Sequence, residues 1–182
     1  MVERKEYLDQ LIQWKDEQVI KVVTGIRRCG KSTLLTQYQD WLKGSGISGE
    51  QIVSINFEEL EYEELLDYKK LYAYLKARLV SGAKTYIFLD EIQKVAAFEK
   101  VVDSLYVKPD VDIYITGSNA YMLSGDLATL LTGRYVELRM LPLSFREFLA
   151  VTKLDQDRGF AEYLRTGGLP YLAVMDRTPQ KV

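Results

Sequence analysis

The run Gly25-Ile26-Arg27-Arg28-Cys29-Gly30-Lys31-Ser32 sets two glycines with four residues between them and follows the second with a lysine and a hydroxyl. This is the spacing G-x-x-x-x-G-K-[ST], and each position in it has a physical reason. Gly25 and Gly30 let backbone N–H groups curl around phosphate oxygens, and Arg27, Arg28, Cys29 and Thr33 border the same loop. A helix starting at Lys31 would aim the positive end of its dipole at that anion. Lys31 is expected to neutralise the β- and γ-phosphates, and Ser32 to offer its hydroxyl oxygen to Mg²⁺. A plain strand-to-helix turn needs neither the lysine nor the hydroxyl.

A second constellation, Asp90-Glu91, ends the apolar run Tyr86-Ile87-Phe88-Leu89. One carboxylate at such a strand tip can address Mg²⁺ while the next polarises an attacking water; the plainer alternative is a solvated strand end. Asp90 is assigned to the metal and Glu91 to the general base. Asn119, in Gly117-Ser118-Asn119-Ala120, is expected to orient the γ-phosphate or the lytic water, or to cap a helix, roles that can coexist. Arg134 could extend to a neighbouring subunit's γ-phosphate, or it could simply cap Thr132-Gly133 at the surface. Cys29 reads either as a thiol activated by Arg28 and the helix end or as the occupant of a permissive loop position.

These groups need elements to hold them. A β-branched run, Val19 to Thr24, precedes the loop, and a helical pattern through Leu34, Leu35, Tyr38 and Leu42 follows it. Residues 2 to 14 read as an amphipathic leading helix, 52 to 57 as a second strand and about 65 to 80 as a long helix. Further strands are expected at 86 to 89, 111 to 116 and 135 to 140, with helices at 98 to 106 and up to Leu131. Ser144-Phe145-Arg146-Glu147 has the spacing of a capping box, and helical sequence continues to about Arg165 before Gly167-Gly168-Leu169-Pro170 breaks it. Strands alternating with helices imply an α/β fold with a five-stranded parallel sheet covered on both faces, whose ligands sit at the carboxyl ends of the strands.

Composition excludes several alternatives. With no histidine and a single cysteine, Ser-His and Cys-His nucleophilic arrangements and an intramolecular disulfide are ruled out, as are the usual zinc sets. A formal net charge of −2 leaves no global basic field for a nucleic acid. Apolar runs fall far short of the roughly 20 residues that span a bilayer, and Met1-Val2-Glu3-Arg4-Lys5 lacks a signal-peptide core. The expected location is cytoplasmic, without a membrane partner.

Taken with Phe88-Leu89-Asp90-Glu91-Ile92-Gln93, Ile115-Thr116-Gly117-Ser118-Asn119, Gly133-Arg134 and Leu141-Pro142-Leu143-Ser144-Phe145-Arg146-Glu147-Phe148, the loop gives a sequence that resembles the AAA-like P-loop ATPases of bacteria and archaea that carry a C-terminal domain of unknown function. The resemblance implies strand order 5-1-4-3-2, ATP or ADP with Mg²⁺ as ligands, and Asp90 and Glu91 as the Walker B pair. It further implies Asn119 as polar sensor, Arg134 as arginine finger of a homo-oligomer, and Asn56 as a switch residue holding Glu91 away from water. Pro170 is similar to the proline that related ATPases place against adenine.

On this reading residues 1–150 form the ATPase core and 151–182 begin a helical lid or winged-helix region. A segment beyond Val182 is expected to contact a protein or nucleic-acid partner. The expected function is Mg²⁺-dependent ATP hydrolysis coupled to that partner. A nucleotide-gated binding module is the alternative, and a small-molecule kinase a lesser one, since Glu91 directly after Asp90 argues against it.

Overall fold

The computed structural model describes residues 3–118, 131 and 133–174. Five strands form one sheet: β1 (Ile20–Gly25), β2 (Ile52–Asn56), β3 (Thr85–Asp90), β4 (Val111–Ser118) and β5 (Tyr135–Met140). Their order is β2-β3-β4-β1-β5, and every pairing is parallel. This is the α/β P-loop NTPase arrangement that the sequence predicts.

Parallel strands buried on both faces need apolar side chains in both directions, and β3 meets that need. Its Ile87 and Leu89 join a core with Ile113, Ile115 and Val22, while Tyr86 and Phe88 face the other way, toward Val23 and Tyr114. The first face is covered by α3 (Tyr68–Lys76) and α4 (Phe98–Tyr106) through Leu71, Leu75, Val102 and Leu105. The second is covered by α1 (Lys5–Gln13) and α2 (Lys31–Gly44) through Leu11, Leu34, Tyr38 and Leu42. With both faces closed, the carboxyl edge, where Gly25 and Asp90 end their strands, is left for ligands.

Two expectations change. The helix expected from 65 to 80 is instead a 3₁₀ stretch, Leu60–Leu66, followed by α3. The cause is Asp67, whose carboxylate accepts the N–H groups of Lys69 and Lys70 at 2.8 and 3.0 Å and so starts a new helix there. Pro170 does not merely break a helix; it opens another, since a proline lacks only an N–H that a first turn leaves unbonded. The helix expected before Leu131 falls on residues outside those described.

After β5 the described residues form three helices, α5 (Phe145–Thr152), α6 (Gln156–Thr166) and α7 (Pro170–Val174). Ser144 and Glu147 form the expected capping box. Phe145, Phe148, Phe160 and Tyr163 make edge-on and tilted ring contacts that pack α6 on α5. The Leu143 N–H donates to the Gly168 carbonyl at 2.6 Å, and the Tyr163 hydroxyl donates to the Leu143 carbonyl at 2.8 Å. These bonds bend the chain back so that Pro170 faces the loop between β1 and α2. No described helix is long and apolar enough to cross a membrane.

Candidate functional site

The loop from Gly25 to Lys31 is shaped by what it must avoid. A Cβ on Gly25 would lie 2.5 Å from the Met140 carbonyl oxygen and 2.7 Å from Cys29 Sγ, so only glycine lets β1 pass so close to the end of β5. Gly30 has φ of 104° and stands at the start of α2, a conformation that L side chains resist. Cys29 is fully buried between them, and that burial pushes its thiol up from its ordinary value. It is therefore neither an activated thiol nor the filler of a permissive position: its side chain is part of the core under the loop.

Lys31 is buried, with 4% of its side chain exposed, and its Nζ donates to the Gly25 and Ile26 carbonyls at 3.3 and 3.4 Å. The same Nζ lies 3.8 Å from Glu91 Oε1. Ser32 is exposed on the first turn of α2. Asp90 is buried at the tip of β3, where the Thr116 hydroxyl donates to its Oδ1. Thr116 Oγ1 in turn accepts the Glu91 N–H at 3.0 Å, so one β4 hydroxyl fixes both members of the acidic pair. Glu91 has φ of 57°, which turns its side chain off the strand line.

Glu91, Lys31 and Ser32 line one cavity of about 420 Å³ with Arg27, Arg28 and Glu58. An adjoining, mostly apolar cavity of about 310 Å³ is lined by Cys29, Gly30, Thr33, Pro170, Tyr171 and Arg4. The first has the charge for phosphates, and the second has the shape and polarity for a flat base. An exposed hydroxyl on Ser32 and a carboxylate on Asp90 with one oxygen still uncommitted to Thr116 are a hard-oxygen pair suited to Mg²⁺. Among the described residues no group of three or more His, Cys, Asp or Glu side chains is placed to hold a metal ion.

Other expected site residues fall differently. Asn56 lies beside Asp90 in register, but its Oδ1 accepts the Glu58 N–H at 2.9 Å and caps its own turn. The amide that donates to Glu91 Oε2 belongs to Gln93. Arg134 stands at the amino edge of the sheet, where its carbonyl accepts the Ile20 N–H at 2.8 Å. The length of β1 separates it from Gly25, about 16 Å at roughly 3.3 Å per residue. Its guanidinium pairs with Asp103 at 2.8 Å, so it does not reach its own loop. Asn119 lies outside the described residues.

Arg4 is another residue, besides Gln93, to which the sequence reading gave no role. It is 3% exposed, and its guanidinium donates to Glu147 Oε1 at 2.7 Å, the Leu141 carbonyl at 3.0 Å and the Cys29 carbonyl at 3.3 Å. It thus ties the leading helix, the phosphate loop and the α5 cap together beside the apolar cavity. Its partners are distant in sequence, so no local signal marks it.

A family model described as an AAA domain matches residues 17–149. An uncharacterised protein of Haemophilus influenzae is 46% identical over 97% of this chain, which covers 46% of that protein. The uncharacterised protein MJ1544 of Methanocaldococcus jannaschii is 30% identical over 86% of this chain, which covers 37% of it. The chain thus spans less than half the length of these curated relatives. Among solved structures, the Walker-type ATPase of Pyrococcus abyssi superposes with a TM-score of 0.64 at 18% identity, over 96% of this chain and 66% of that one. At that identity the likeness is one of fold.

Proposed function

The chain belongs to the AAA-domain family of P-loop ATPases, and from that premise we propose that it binds ATP with Mg²⁺, hydrolyses it, and passes its nucleotide state to a partner. What supports this most directly is the convergence of Lys31 and Glu91 on one cavity at the head of α2, with Asp90 behind them. Lys31 and the loop N–H groups hold the β- and γ-phosphates. Ser32 and Asp90 hold Mg²⁺, which when bound neutralises charge on the phosphates. Glu91 polarises the attacking water and takes its proton. Pro170 and Tyr171 wall the base.

Arg134 acts, in this reading, on the loop of a second copy, since its place at the far edge of the sheet excludes its own. An arginine there would stabilise charge on the transferring phosphoryl group. Lys31 is engaged with two loop carbonyls and lies close to Glu91, contacts that nucleotide must displace. Contacts made in the empty site and broken by nucleotide distinguish two states, which is what the second reading, a nucleotide-held switch, requires. Segments of the kind that lengthen the relatives would then carry the partner contact.

Mg²⁺-dependent ATP turnover per molecule, measured as protein concentration is raised, separates these readings. Turnover that rises with concentration and is lost in Glu91→Gln is the expected result. Tight ADP and ATP binding without turnover would leave the switch, and absence of binding would remove both.

A further inference from the structure

Glu91 is fixed at three points. Its backbone N–H is held by Thr116 Oγ1, its Oε1 lies 3.8 Å from Lys31 Nζ, and its Oε2 accepts the side-chain amide of Gln93. Only the amide nitrogen of a glutamine can face a carboxylate, since the oxygen would repel it, so the orientation of Gln93 follows from its neighbour.

The turn that carries Gln93 is itself anchored. Ile92 and Val95 are buried in the core on either side, and Lys94 N–H and Val95 N–H close a 3₁₀ turn on the Glu91 and Ile92 carbonyls at 3.1 and 2.9 Å. Gln93 Oε1 is buried and finds no hydrogen-bond donor among the described residues. An apolar side chain of similar length would fill the place without leaving an acceptor unmet, so packing alone does not account for an amide here. Asn56, the other amide near the acidic pair, has its oxygen committed to the Glu58 N–H.

We propose that Gln93 is a positioning residue that sets the direction of the Glu91 carboxylate, and thereby the rate of water attack, without taking part in nucleotide binding. The inference rests on Glu91 as the group that polarises water. Gln93 is not among the residues lining the phosphate cavity, so its effect passes through Glu91. Losing the amide N–H frees Oε2 to rotate, and replacing it with a carboxylate drives Glu91 away.

The test compares wild type with Gln93→Met, which keeps length and removes the donor, Gln93→Glu, which adds repulsion, and Gln93→Asn, which retains a shorter donor. Each is assayed for Mg²⁺-ATP turnover, for ADP affinity by calorimetry, and for the ¹³C resonance of the Glu91 side-chain carboxyl, identified by its absence in Glu91→Gln. We expect kcat to fall about tenfold or more in Gln93→Met and further in Gln93→Glu, with partial recovery in Gln93→Asn. ADP affinity is expected to stay within about twofold while the Glu91 resonance shifts. An unmoved resonance in Gln93→Met overturns the proposal, as does a loss of ADP affinity that matches the loss of turnover. Should the wild type bind nucleotide without turnover, hydrolysis fails as the function, and the resonance alone still decides whether Gln93 holds Glu91.

Discussion

A methyl group placed on Gly25 meets backbone rather than a flexible side chain, because the nearest atom is the Met140 carbonyl oxygen. The strand ends cannot part without disturbing β1 and β5, which pair up to Gly25 and Met140. Gly25→Ala is therefore expected to cost about 2–3 kcal/mol in thermal or urea unfolding. Because the same clash pushes on Cys29 and the loop behind it, ADP affinity should fall together with stability, in contrast to the selective effect expected at Gln93. At this scale the phosphate loop is a compromise: its glycines permit the curl, and the buried thiol of Cys29 fills the space beneath it.

Between elements, the least expected feature is a charge pair inside the sheet. Lys21 Nζ on β1 donates to Asp112 Oδ1 on β4 at 2.6 Å, and both side chains are almost wholly buried. Asp112 Oδ2 also accepts from the Asp16 N–H and the Tyr114 hydroxyl, and Tyr114 is 2.8 Å from the Tyr38 hydroxyl on α2. Burial pulls the Lys21 ammonium down from its ordinary value, and Asp112 opposes that pull. Lys21→Met removes the cation and strands a buried carboxylate, at an expected cost of about 3–5 kcal/mol. Equilibrium urea unfolding should show this as a lower midpoint at an unchanged slope. Asp112→Asn added to the same chain should restore part of the loss.

Across the whole molecule, Arg4 and Glu147 join the residues before α1 to the helix that follows β5. Burial pushes the Glu147 carboxyl up, but the Ser144 N–H and hydroxyl and the Arg4 guanidinium outweigh it and hold the group below its ordinary range. A carboxylate depressed in the folded state lends stability that is full above its unfolded value and is lost as pH falls through the folded one. The protein should thus weaken on acidification through and below the usual carboxylate range. Glu147→Gln should be less stable at neutral pH and lose less on acidification, measured by urea midpoints at a series of pH values. The Arg134 proposal belongs to this scale too, because a residue at the amino edge of the sheet can act on a phosphate only if two copies assemble.

Much of this protein was legible in its sequence because it is written locally. The glycine loop between β1 and α2, the Asp90-Glu91 strand tip, the strand positions and the Ser144 capping box each depend on residues within a few positions of one another, where backbone geometry follows directly from residue type. The long helix after β2 was misread because helical periodicity ran on across Asp67, whose short carboxylate competes for the backbone and starts a new helix. Partners distant in sequence were decided only by the tertiary structure. The spacing of side chains along the chain says nothing of which one folding brings to Glu91, so the resemblance suggested Asn56 while the turn supplied Gln93. For the same reason Arg4, an unmarked residue near the chain's start, became a clamp on the loop. Cys29, exposed to reagents in any extended chain, became core, because only packing determines what water can reach.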